Sequence, residues 1–182
     1  MMKTVDINDG KKIYIFDNVF EYKIQSNIYD RVTTSQYHIG WNDTGIIEKR
    51  DMAYLFAPWI MEQFDNLKFF KSLPDEIMSK IKDMKFQRAV TNLTVPTYTF
   101  TPHNHENQTV LLYYANMEWN PDWAGETLFY SDDLKSIPLC SIYTPNRIVL
   151  FDGEIPHAIR PQSGRAPEYR FTISIFLNGK LK

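Results

Sequence analysis

Cysteine is almost missing. Cys140 is the single one in 182 residues, so neither an intramolecular disulfide nor a cysteine-built zinc or iron–sulfur centre can form. Charge of one sign is missing as well. Twenty Lys and Arg against twenty-two Asp and Glu leave a net charge of −2, which gives no electrostatic basis for binding nucleic acid or a membrane surface. No apolar run is long enough to span a bilayer; Met52–Met61 is both short and interrupted. The amino terminus, Met1-Met2-Lys3-Thr4-Val5-Asp6, lacks the apolar core and small-residue cleavage site of a secretory signal, so a cytoplasmic setting is expected. There the triplets Asn42-Asp43-Thr44, Asn92-Leu93-Thr94 and Asn107-Gln108-Thr109 would meet no glycosylation machinery. Cys140, between Leu139 and Ser141, is expected to be a small buried hydrophobe.

What is present is core-forming material: 43% hydrophobic and 15% aromatic residues, enough to exclude a disordered chain. There is no internal repeat, low-complexity tract or Gly/Ser linker, so one continuous domain over 1–182 is expected. Its first part, to about residue 85, reads as helix-rich. Lys12–Phe16 alternates as a strand, Phe20–Val32 reads as a helix, and the segment from Lys12 to Arg50 stands as lid or interface. Pro58 suits a first helical turn, with Trp59, Ile60, Phe64 and Leu67 recurring behind it at helical spacing. Leu73-Pro74-Asp75-Glu76 opens another helix to about Met84. Residues 86–178 then break into short strands: Phe86–Leu93, Tyr98–His105, Thr109–Ala115, Thr127–Tyr130, Arg147–Phe151 and Arg170–Leu177. Helices first and many strands afterwards predict a mainly β, α+β fold, with helices packed outside an antiparallel sandwich or small barrel.

Two of the four histidines stand one residue apart in His103-Asn104-His105. On a strand both imidazoles would share a face, and neutral imidazole is the commonest metal ligand. His157, which follows the apolar strand Ile148–Phe151, is a third candidate. His38, between Tyr37 and Ile39, reads as structural. In Arg170-Phe171-Thr172-Ile173-Ser174-Ile175 the polar residues alternate with apolar ones, which puts Arg170, Thr172 and Ser174 on one face. A guanidinium beside two hydroxyls is well suited to clamp a carboxylate; the plainer alternative is an exposed strand face. Trp119 and Trp123, about Asn120-Pro121-Asp122, read either as a pocket wall or as staples for a loop. Asn92 and Asn116 read either as ligand contacts or as partners of backbone groups.

Residues 103–177 resemble the catalytic core of the iron(II)- and 2-oxoglutarate-dependent dioxygenases, particularly the prolyl-4-hydroxylase-like branch. The resemblance runs in order through His103-Asn104-His105, Leu112-Tyr113-Tyr114-Ala115-Asn116-Met117-Glu118-Trp119, Ala124-Gly125-Glu126-Thr127-Leu128-Phe129, Pro145–Phe151, His157-Ala158-Ile159-Arg160-Pro161 and the Arg170 strand. It implies a double-stranded β-helix (a cupin-like jelly roll) and a hydroxylation that converts 2-oxoglutarate to succinate and CO2. The substrate would be a small molecule or peptide, and a homodimer is compatible with the sequence. In that reading His103, His105 and His157 hold Fe(II), while Arg170 holds the distal carboxylate of 2-oxoglutarate, with Tyr113 in support and Thr172 or Ser174 completing the clamp.

Two departures from the family pattern stand out. His105 occupies the place of the usual carboxylate ligand, with Glu106 as an alternative should the backbone turn there. The interval from His157 to Arg170, 170 − 157 = 13 residues, is slightly long; Arg165 is nearer but falls in a loop. Two other readings stay open: a three-histidine cupin-like dioxygenase that does not use 2-oxoglutarate, and a non-catalytic jelly roll that binds a small molecule.

Overall fold

The computed structural model describes residues 2–7, 10–41, 51–96 and 100–181. The strands are β1 (Met2–Ile7), β2 (Lys11–Phe16), β3 (His38–Trp41), β4 (Asp51–Trp59), β5 (Lys85–Thr94), β6 (Gln108–Tyr114), β7 (Thr127–Phe129), β8 (Leu139–Ser141), β9 (Ile148–Asp152), β10 (His157–Ile159) and β11 (Arg170–Asn178). Eight form one antiparallel sheet in the order β1-β2-β9-β6-β11-β5-β4-β3, and three form a small sheet, β10-β7-β8. The two sheets face each other as a jelly roll, as the sequence leads one to expect. The helices are α1 (Tyr22–Thr33), α2 (Met61–Asn66) and α3 (Asp75–Ile81). No helix among the described residues is long and apolar enough to cross a membrane.

Strand alternation separates two cores. On one face of the large sheet Tyr14, Leu111, Tyr113, Leu150, Ile173 and Ile175 pack against Ile28 of α1, Phe64 of α2 and Ile77 of α3. On the other face Ile15, Leu112, Tyr114, Val149 and Phe176 meet Phe129 of the small sheet. Of the candidates on the sheet, Arg170, Thr172 and Ser174 belong to this second, inner face, whereas Tyr113 lies on the first. Burying a large apolar side chain on either side is worth roughly 1.5–3 kcal/mol, so a one-residue slip of β11 would exchange both sets at once.

Five sequence expectations are corrected. Pro58 and Trp59 are not helical: they lie in β4, opposite Val90 and Ala89. The pairing of β3 with β4 reaches only Phe56, so Pro58 sits where β4 is an edge and needs no ladder donor on that side. The apparent helical spacing reflects packing, since the Trp59 indole stacks on Phe64 at 4.7 Å and donates to Thr91 Oγ1. α3 ends three residues before Met84. Cys140 is exposed, because Leu139 and Ser141 on either side of it turn inward. The strand expected over 98–105 is absent from its described part, 100–105, except for one bridge at His103; residues 97–99, like Asn42-Asp43-Thr44, lie outside the described residues. The first 85 residues are also less helical than expected, for they contribute half the strands of the large sheet.

Candidate metal centre and carboxylate pocket

Backbone hydrogen bonds bring the three histidines together. His103 and His157 exchange N–H···O bonds of 3.0 and 2.9 Å in an antiparallel bridge. The His105 N–H donates to the Gly153 carbonyl at 2.7 Å, and the Gly153 N–H donates to that of Gln108 at 2.7 Å. Only glycine fits at 153: a Cβ there would stand 2.5 Å from the His105 carbonyl oxygen and 2.7 Å from that of Gln108. The turn that precedes His157 thus also places His105.

The three rings lie with centroids 4.6–5.3 Å apart, and one potential ligand atom from each falls within 4.8 Å of the others. His105 and His157 are buried, while His103 is exposed at the mouth. The His157 Nδ1–H donates to the Ile155 carbonyl at 2.8 Å, because a carbonyl can only accept; Nε2 then carries the free lone pair. Burial among Phe129, Phe151 and Phe176 favours neutral imidazoles. It is the main cause that lowers His157 to about 3; the charge of His103 lowers it further, against the opposing pull of Ile155. His105 is pushed down by burial first, then by His157, His103 and Arg88. Convergent imidazoles, two of them buried and kept neutral, suit a divalent metal, so the donor set fits one. Glu106 is exposed and stands outside the cluster.

Arg170 is fully buried on the inner face. Its Nε–H donates to the Gly125 carbonyl at 2.6 Å; its terminal nitrogens reach Thr127 Oγ1 at 3.3 Å and Thr172 Oγ1 at 3.4 Å. The guanidinium also lies over the rings of Tyr143 and Tyr114, at 5.0 and 5.7 Å. Gly125, at φ +90°, leaves space for the arginine stem: a Cβ there would meet Arg170 Cδ at 3.1 Å. Along the small sheet Thr127 stands opposite Ile159 and Phe129 opposite His157. The anchored guanidinium is therefore two residue steps, roughly 7 Å, from the level of His157. A five-carbon diacid suits that interval.

The remaining candidates separate. Ser174 faces inward but is engaged with the Asn92 amide at 2.9 Å. Tyr113 points away from Arg170 into the helix-side core, against Phe20 and Phe69. The tyrosine in the pocket is its neighbour Tyr114, whose hydroxyl lies 3.0 Å from both Thr127 Oγ1 and Ser141 Oγ. Asn116 serves the backbone, accepting from the Phe171 N–H. Trp119 staples its loop by donating to the Ala124 carbonyl and packing on Tyr143. Arg165 is exposed, and His38 rests on Phe56. Sequence reasoning missed Tyr114, Thr127 and Gly125; a β6–β11 register would have found the first, because Tyr114 pairs with inward-facing Thr172.

No protein-family model matches the chain, and no curated protein matches it in sequence. Solved structures do match in three dimensions. A Trichoplax adhaerens prolyl hydroxylase in complex with a hypoxia-inducible-factor oxygen degradation domain peptide fragment superposes with a TM-score of 0.67 at 16% identity, over 91% of this chain and 83% of that one. A Pseudomonas putida prolyl-4-hydroxylase gives 0.63 at 12%, over 91% and 92%. HygX from Streptomyces hygroscopicus, with nickel, 2-oxoglutarate and hygromycin B bound, gives 0.64 at 9%, over 92% and 82%. The chain thus has the fold of the prolyl hydroxylases and other 2-oxoglutarate/Fe(II) oxygenases, with three convergent histidines at its inner face.

Proposed function

We propose that this protein is an Fe(II)- and 2-oxoglutarate-dependent oxygenase that hydroxylates a C–H bond of a small molecule or peptide. The observation that carries the reading is the pairing of three convergent histidines with a buried arginine about one dicarboxylate length away. Iron and 2-oxoglutarate, when bound, supply the oxidation: one atom of O2 enters succinate as CO2 leaves, and the other enters the substrate. The chain supplies the rest. His103, His105 and His157 would hold the metal, with the Ile155 carbonyl fixing the tautomer of His157. Arg170 would hold the distal carboxylate, aided by the Thr127 and Thr172 hydroxyls. Gly125 and the Tyr114–Tyr143 pair (stacked at 4.6 Å) keep the guanidinium oriented before the acid arrives. Leu112, Val149 and Phe151 belong to the apolar core of the same inner face.

The test is an anaerobic titration with Fe(II) and 2-oxoglutarate, followed by the weak visible charge-transfer band of the chelate. The wild type develops the band. Arg170→Lys keeps the charge but loses the fork, and requires about ten- to a hundredfold more 2-oxoglutarate with metal affinity unchanged. A requirement that does not move removes Arg170 from the clamp. The three-histidine set also supports a dioxygenase without 2-oxoglutarate; metal binding with no band and no succinate release assigns the site to that chemistry instead.

A further inference from the structure

The metal centre draws its donors from nitrogen. Among the described residues, His103, His105 and His157 form the one group of histidine, cysteine or acidic side chains close enough to share an ion, and no carboxylate belongs to it. The acids within five positions of these histidines are Glu106, Asp152 and Glu154. Asp152, at the end of β9, accepts from the Glu154 N–H at 3.0 Å and so closes the turn that leads to His157. Glu154 is paired with Lys180, whose Nζ lies 2.7 Å from Oε1. Glu106 is exposed.

His105 is fixed at both ends. Its N–H is held by the Gly153 carbonyl at 2.7 Å, and its ring meets Phe176 edge-on, with centroids 4.7 Å apart. It is buried, where His103 faces water at the mouth. An imidazole held in this way presents nitrogen to an ion and leaves no place for an acid in its stead.

Donor type decides which ion stays. Imidazole suits Fe(II), Ni(II), Cu(II) and Zn(II), whereas Mg(II) and Mn(II) are held by carboxylate, carbonyl and water oxygen. Affinity for a given site rises from Mn(II) through Fe(II) and Co(II) to Ni(II), and a nitrogen-only face steepens that rise by giving the weak end no anionic oxygen. We propose that His105 sets the ion choice of this centre, which accepts Co(II), Ni(II), Zn(II) and, less tightly, Fe(II), and turns away Mn(II) and Mg(II). The inference rests on the metal-centre reading above and adds a rank order to it. Iron then competes with zinc for this protein on worse terms than at a site with a carboxylate ligand.

The test needs no turnover. Co(II) is added to the metal-free protein without oxygen or 2-oxoglutarate, its visible d–d absorption reports occupancy, and the other ions are titrated as competitors. Zn(II) should displace Co(II) at comparable or lower concentration, Fe(II) at roughly tenfold higher concentration, Mn(II) only above about a hundredfold excess, and Mg(II) not at all. His105→Asp should lower the Mn(II)-to-Co(II) ratio about tenfold or more, and His105→Asn, an oxygen donor without charge, should lower it part of the way. The wild-type series decides the rank order whether or not the aspartate variant folds. Mn(II) competing within about tenfold of Co(II) in the wild type, or a ratio that neither variant moves, overturns the assignment and leaves the metal centre standing. A Co(II) spectrum that is absent, or that His157→Gln leaves unchanged, removes the metal centre itself, and the selectivity falls with it.

Discussion

Acid should loosen this protein through two buried histidines. His157 has its pKa lowered from 6.5 to about 3 in the fold, chiefly by burial. In the unfolded chain it returns to the ordinary value. Between those limits the unfolded state takes up a proton that the folded state refuses, so stability is complete above pH 6.5 and falls as the pH drops toward 3. The slope is about 1.4 kcal/mol per pH unit, hence about 2 kcal/mol lost from pH 6.5 to pH 5. His105 is displaced in the same direction by the same main cause and adds a second slope. Losses of that size are a large share of the roughly 5–15 kcal/mol that holds a domain together. The assay is urea unfolding of the metal-free protein from pH 7.5 to 5, with His157→Gln alongside. Gln keeps a donor for the Ile155 carbonyl but does not titrate, so its profile should be shallower by about 1.4 kcal/mol per unit. Equal slopes in the two proteins, or a wild type whose stability is flat down to pH 5, would refute the reasoning. A saturating divalent cation should lift stability at every pH, since it binds only the folded, neutral cluster.

Two further outcomes follow from the geometry. Gly153→Ala forces a Cβ against two backbone oxygens that cannot swing aside, so it should cost roughly 1–3 kcal/mol and weaken Co(II) binding by about ten- to a hundredfold; calorimetric titration reads the affinity, and an unchanged value removes Gly153 from the placement of His105. Tyr114→Phe should cost about 1 kcal/mol and raise the 2-oxoglutarate requirement, whereas Tyr113→Phe, whose hydroxyl makes a 3.4 Å contact with Asn146 on the helix side, should leave that requirement alone. Equal effects of the two variants on 2-oxoglutarate would sink the assignment of faces.

How much of this could be read from residues depends on where polarity alternates. On β11 polar and apolar residues take turns, and the sequence alone places Arg170, Thr172 and Ser174 on one face. On β6 every residue from Thr109 to Tyr114 is buried, so both faces look alike and parity gives no guidance. That is why the strand itself gives no ground for Tyr113, which rested on the resemblance, against Tyr114, which the register puts in the pocket. Strands β8 and β10 span three residues each, too few to show any period. The convergence of His103 with His105 was expected from a regular strand. It comes instead from a single bridge and from Gly153, long-range contacts with no local trace.

Strand order also sets a timetable for synthesis. β2 pairs with β9, Tyr14 standing opposite Leu150, which is 150 − 14 = 136 residues later. At 5–20 residues per second, roughly 7–27 seconds separate their emergence from the ribosome. β1 and β2 can close on each other as a hairpin meanwhile, but the alternating Ile13 and Ile15 of β2 have nothing to cover them until β9 and the small sheet arrive. The nascent chain therefore carries an adhesive ribbon throughout that interval, and a holding chaperone would find its target there.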